Sequence, residues 1–147
     1  MNNLTLLIPA NKEAESLPLF LKELNEYDYK KLIVLQKEDK ETIDSIKNFK
    51  DIEIYIQHNK GYGSALKEGL NNIKTEFFCI INADGSMDPK FLLQMIKDCE
   101  NHDLVFASRY LKGGGSDDDD WVTYLGNKVF SFLGNFLFNL KLSDILY

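Results

Sequence analysis

The chemistry-bearing residues concentrate in "FFCIINADGSMDP", residues 77–89, where an apolar run stops at Asn82 and Asp84, Gly85, Ser86 and Asp88 follow. An amide oxygen, a carboxylate and a hydroxyl at alternate positions, Asn82, Asp84 and Ser86, can converge on a hard divalent cation. Mg²⁺ or Mn²⁺ suits such a set, because each takes few protein oxygens and completes its shell with water and substrate phosphates. The same residues also make a plain turn, with Asp84 and Asp88 capping a helix that begins near Pro89. Residue types alone favour neither reading. A second candidate is "HNKGYGSALKEGL", residues 58–70, where Gly61 and Gly63 follow a strand and open a helix. Such a turn can present backbone amides to a phosphate. It is no dinucleotide fingerprint, since Leu66 stands where the third glycine would fall, and residue types alone favour a tight strand-to-helix connection. Arg109 in "FASRYLKGGG" is the only arginine of the chain. A guanidinium fork suits bidentate phosphate recognition; a surface ion pair is the alternative. His58 reads as a solvated loop residue, and the aspartate run at 117–120 as a solvated like-charge segment.

The elements that must position these residues alternate. Apolar runs at 4–8, 32–35, 52–56, 77–81 and 104–107 read as strands. Helical spacing appears at 16–25, 42–49, 64–73 and 89–100, the last with Pro89 suited to a first turn. This alternation predicts crossover units and a mostly parallel sheet with helices on both faces. Ligands of such sheets bind outside the carboxyl ends of the strands. The residues to inspect therefore lie at 9–13, 36–41, 58–63, 82–88 and 108–110. Beyond "GGGSDDDD", read with its approach as a flexible loop over 112–120, an apolar helix is predicted from about 128 to 140. Its Asn127, Ser131, Asn135 and Asn139 recur every fourth residue and trace one narrow polar stripe. The apolar remainder is expected to be buried against the sheet or a partner, with self-association where it stays exposed.

With 147 residues, 44% hydrophobic and 27% charged, the chain has an ordinary globular composition and length for one domain. Its net charge of -6 argues against nucleic acid as the partner. Cys79 and Cys99 form no C-x-x-C pair, so a reducing compartment is the default. The N-terminus lacks a basic region and a long apolar run, and no segment reaches the ~18 apolar residues of a span. The chain reads as cytoplasmic.

Taken in order, "LIPANKEAESLP", "NKGYGSALKEGL", "INADGSMDP", "DLVFASRY" and "GNKVFSFLGN…LKLSD" resemble the family-2 glycosyltransferases of the GT-A fold. The branch most similar contains dolichol-phosphate mannose synthase and related polyprenyl-phosphate sugar transferases. The resemblance implies a Rossmann-like nucleotide-sugar-binding fold and a nucleotide-diphosphate sugar donor. It further implies Mg²⁺ or Mn²⁺ held by a D-x-D motif, and a polyprenyl phosphate or other acceptor at the inner face of a membrane. By position, it places Pro9, Asn11 and Glu13 at the nucleotide and Gln36 at base or ribose recognition. Gly61, Gly63 and Ala83 fall beside the donor, Asn82, Asp84 and Ser86 at the metal and diphosphate, and Arg109 at the phosphates. Asp84 and Arg109 are then the catalytic residues.

The departures are specific. Asn11 and Lys12 replace the aromatic and asparagine of the family's P-A-Y-N-E, Leu35 and Gln36 stand where an acidic pair is usual, and Asn82 replaces the first acid of D-x-D. Family members also continue beyond the point reached by Tyr147, so the resemblance implies that the C-terminal part of the domain is missing. The competing reading is a catalytically impaired nucleotide-sugar-binding or scaffold module. A nucleotidyltransferase fits less well, since "IPANKEAE" contains no glycine for a phosphate loop after the first strand.

Overall fold

The computed structural model describes residues 3–116 and 120–145, and the aspartates at 117–119, with that part of the expected flexible loop, lie outside the described residues. The chain divides into two compact units, one up to Pro89 and one from Lys90 onward.

The first unit is built on β1 (Leu4–Pro9), α1 (Ser16–Glu23), β2 (Lys30–Leu35), α2 (Lys40–Ile46), β3 (Glu53–Ile56), α3 (Tyr62–Asn72) and β4 (Phe77–Ile80). All pairings are parallel, in the order β3-β2-β1-β4, with Leu7 opposite Leu32 and Ile80, and Val34 opposite Tyr55. This order follows from crossover handedness. Stepping β1 to β2 to β3 through right-handed crossovers puts α1 and α2 on one face, and the return to β4 puts α3 on the other. Side chains alternate accordingly. Leu7, Leu32 and Val34 pack against Ala65 of α3. Leu6, Ile8, Ile33 and Leu35, pointing the opposite way, are fully buried with Leu17, Leu21 and Ile46 of the other two helices.

Gly69 shows how closely α3 approaches the sheet. A Cβ there would stand 2.4 Å from Leu7 Cδ1, so no larger residue fits without displacing the core. Helix α2 begins where Asp39 caps it, accepting from Thr42 N at 3.3 Å. The predicted strands and helices of this unit are all present, with no end shifted by more than three residues.

The second unit differs from expectation in two places. Residues 104–107 form no strand and join no ladder, and Leu104 and Phe106 are exposed at 70% and 59%. An apolar run without alternation becomes a strand only where a neighbouring strand completes its hydrogen bonds. After α4 (Leu92–Asp98), the long helix α5 runs Trp121–Phe138, seven residues earlier at its start than predicted. Asp120 caps it through Thr123 N at 2.7 Å, which holds that carboxyl below its ordinary range. The buried side of α5 is its polar stripe, with Asn127, Ser131 and Gly134, and not its apolar face. Phe132, Phe136 and Phe138 are 70–78% exposed. Residues 142–145 cover the stripe: Asn135 exchanges two hydrogen bonds with the Leu142 backbone, and Asn127 Oδ1 accepts from Ile145 N. No described helix is long and apolar enough to cross a membrane.

Candidate active site

The carboxyl ends of the four strands open into one cavity of about 360 Å³, within the size range of small-molecule sites. The end of β1 contributes Pro9, Ala10, Asn11 and Glu13, and the end of β2 contributes Gln36. Gln57, Gly61 and Tyr62 come from the β3–α3 connection, Ala65 from α3, and Asn82, Ala83 and Asp84 from the end of β4. A second hollow, of about 510 Å³, lies along the consecutive residues 99–104 of the other unit, but it gathers nothing from separate elements.

Each wall has a local cause. Lys12 adopts a left-handed φ of 63°, and its N–H donates to Asp39 Oδ2 at 2.7 Å. The Asp39 carboxylate thus ties the β1–α1 turn to the cap of α2. Glu13 N donates to Thr42 Oγ1 at 3.0 Å, and the Glu13 carboxylate accepts from Ser16 Oγ. On the opposite wall Gly61, at φ 103° and ψ 157°, sits in backbone space that a side chain forbids. Being glycine, it gives α3 no side-chain cap, so the first-turn amides carry the positive end of the helix without a covering carboxylate. At the floor, Gly85 takes φ 77° beside Phe20, and Asp84 Oδ1 accepts from Ser86 N at 2.9 Å.

Of the residues expected at the site, Pro9, Asn11, Glu13, Gln36, Gly61, Asn82, Ala83 and Asp84 meet around this one cavity. Gly63 and Ser86 are not among its lining residues, and Ser86 instead supports the turn that aims Asp84. Arg109 belongs to the other unit. There its Nε and one terminal nitrogen donate to the two Asp144 oxygens at 2.8 and 3.0 Å, with the Asp144 side chain wholly buried. Four lining residues were not singled out from sequence: Ala10, Gln57, Tyr62 and Ala65. Ala10 and Tyr62 lie inside the strand-end segments marked for inspection, whereas Gln57 falls one residue before its segment.

The cavity's charge is distinctive. Glu13 and Asp84 are its carboxylates, Asn11, Gln36, Gln57 and Asn82 supply neutral amides, and among the described residues no lysine or arginine lines it. Among the described residues no three His, Cys, Asp or Glu side chains gather as a closed metal cage. One carboxylate with one amide oxygen, Asp84 and Asn82, fits a divalent ion that keeps water and ligand oxygens in most of its shell.

Residues 5–146 match the model of glycosyl transferase family 2 across both units. The chain belongs to that family. The parallel α/β sheet is the Rossmann-like architecture expected of it. Among curated relatives, an uncharacterized glycosyltransferase of Mycobacterium bovis is 28% identical over 142 residues, 96% of this chain. Uncharacterized glycosyltransferases from two strains of Mycobacterium tuberculosis are similar to the same extent. The chain spans 63% of the length of these relatives.

Proposed function

We propose that the cavity is the donor site of a glycosyltransferase that binds a nucleotide-diphosphate sugar with Mg²⁺ or Mn²⁺ and transfers the sugar to a polyprenyl phosphate or another acceptor. The observation that carries this reading is the convergence of Asn11, Gln36, Gly61, Asn82 and Asp84, from four separate chain segments, at the carboxyl end of the parallel sheet. Amide side chains such as Asn11 and Gln36 offer both donors and acceptors to a nucleobase edge. The uncapped first-turn amides of α3 suit a phosphate. Asp84 and Asn82 would hold the divalent ion, which when bound supplies charge neutralisation for the departing diphosphate.

In the transfer, an acceptor oxygen bonds to the anomeric carbon as the carbon–oxygen bond to the diphosphate breaks. A phosphate acceptor is already anionic, so no general base is required. The Asp144 carboxylate holds the Arg109 guanidinium plane in one orientation, and Arg109 is proposed to meet phosphate charge in the reacting assembly. Placement at the inner face of a membrane is supported by the exposed apolar side of α5, with Trp121 83% and Phe136 78% exposed; self-association through that face is the competing use.

A second reading is favoured by a specific observation, that among the described residues no cationic side chain lies on the cavity wall. In this reading the chain is a nucleotide-sugar-binding or scaffold module with impaired chemistry. Calorimetric titration with UDP, GDP and CDP, with and without Mn²⁺, separates the two. Metal-dependent binding supports the working donor site, and silence with all three supports the scaffold.

A further inference from the structure

The β3–α3 connection forms one wall of the cavity, yet the residue that holds it lies outside the cavity, on α3. Both oxygens of Glu68 are committed to this connection. His58 N donates to Oε2 at 2.8 Å and Asn59 N to Oε1 at 3.0 Å. Asn59 Nδ2 adds a bond to Oε1 at 3.2 Å, and His58 Nδ1 lies 3.0 Å from Oε2. The Tyr55 hydroxyl, at the end of β3, approaches Oε2 at 3.4 Å. The Glu68 side chain is only 15% exposed. From the other side Gln57 Nε2 donates to the carbonyls of Asn59 and Gly61. Residues 57–61 are therefore fastened at both edges, and Gln57, Gly61 and Tyr62 present themselves to the cavity from this fastened segment.

We propose that Glu68 is a positioning residue for the cavity, fixing the wall made by Gln57, Gly61 and Tyr62 through the backbone of His58 and Asn59. Only a carboxylate performs this task. Each oxygen accepts from a different backbone N–H, so a glutamine of the same shape must turn its NH₂ toward one of these donors and lose that tether. The segment then samples other conformations, and a ligand binds only the fraction with the wall in place. As far as it concerns the nucleotide, this inference rests on the donor-site reading above; the fixing of the wall does not.

The test compares wild type with Glu68→Gln, which keeps the packing volume. Amide hydrogen exchange without ligand is the first arm. Residues 58, 59 and 61–63 should exchange at least about tenfold faster in the variant while the amides of β1 and β2 are unchanged. Unchanged exchange over 58–63, or equal acceleration across the sheet, overturns the proposal. The second arm is calorimetric titration with UDP and Mn²⁺. The apparent Kd should rise about tenfold if the competent wall is populated a tenth of the time. An unchanged Kd alongside loosened amides overturns the link between wall and ligand. If the wild type binds no nucleotide, the donor-site reading fails and the exchange arm alone decides the role of Glu68.

Discussion

The two units bury opposite kinds of surface. In the first, Leu6, Leu7, Ile8, Ile33 and Leu35 are inaccessible and the polar strand-end residues open to solvent around a cavity. In the second, the amide and hydroxyl stripe of α5 is the covered side, while its phenylalanines are exposed. The contrast shows that hydrophobic periodicity marks two faces of a helix without saying which is covered within the chain. In the sheet unit the apolar face wins, because water leaves large apolar areas when strands and helices pack. In α5, directional hydrogen bonds between Asn127 and Asn135 and the backbone of residues 142–145 select the polar side, and an orphaned amide beneath that segment would be costly.

This contrast is most easily broken at its two extremes. Leu7→Ala, in the fully buried layer against α3, should lower the stability of the sheet unit by about 3–5 kcal/mol. Phe136→Ala on α5 should change stability by less than about 0.5 kcal/mol. Urea unfolding of both variants checks the pair; a large loss from Phe136→Ala would mean that the exposed side of α5 is covered in solution.

The next effect concerns the ion pair of the second unit. Arg109→Ala leaves the Asp144 carboxylate, whose side chain is 0% exposed, without its bidentate partner. Removing one member of a buried pair costs about 3–5 kcal/mol. Because Arg109 keeps 16% exposure, the lower end, about 3 kcal/mol, is expected here. Hydrogen exchange should locate the loss in α5 and residues 142–145, with the β1 and β2 amides unaffected.

How far the sequence revealed these features depended on the kind of interaction. The alternation of strands and helices exposed the parallel sheet, since burial on both faces imposes near-continuous apolar runs such as "LIVL". It also located Asn82 and Asp84, because the apolar run of β4 ends abruptly beside them. The resemblance to family-2 enzymes then assigned roles to these residues. Gln57 escaped because nothing distinguishes it from other polar residues until its amide is seen stapling the loop. Nothing local in the sequence separates Glu68 from other helical acids. The Arg109–Asp144 pair spans 35 positions, and no local pattern encodes a pairing at that separation. Residues 104–107 have the composition of a strand, but a strand also needs a neighbour, which composition does not specify.

A smaller, pH-dependent effect sharpens the account of the first unit. Backbone hydrogen bonds from His58 and Asn59, the largest causes, lower the Glu68 carboxyl from 4.5 to about 2. A group depressed on folding contributes stability that is fully present above its unfolded value near 4.5 and is lost as pH falls through about 2. The melting-temperature gap between wild type and Glu68→Gln should therefore be constant from neutral pH to about 5 and should narrow below that. A gap independent of pH down to about 2.5 would contradict the assigned hydrogen bonds.

The most direct test of the donor-site account asks where a divalent ion sits. Mn²⁺ added in substoichiometric amounts with UDP should broaden the amide resonances of residues 82–84 and 11 in isotope-labelled protein. Asp84→Ala should remove that broadening, and Asn82→Asp, which restores a second carboxylate, should produce it at lower Mn²⁺ concentration. Broadening should be confined to the rim of the cavity at the carboxyl end of the sheet. Broadening centred elsewhere, or identical in wild type and Asp84→Ala, would contradict the donor-site reading.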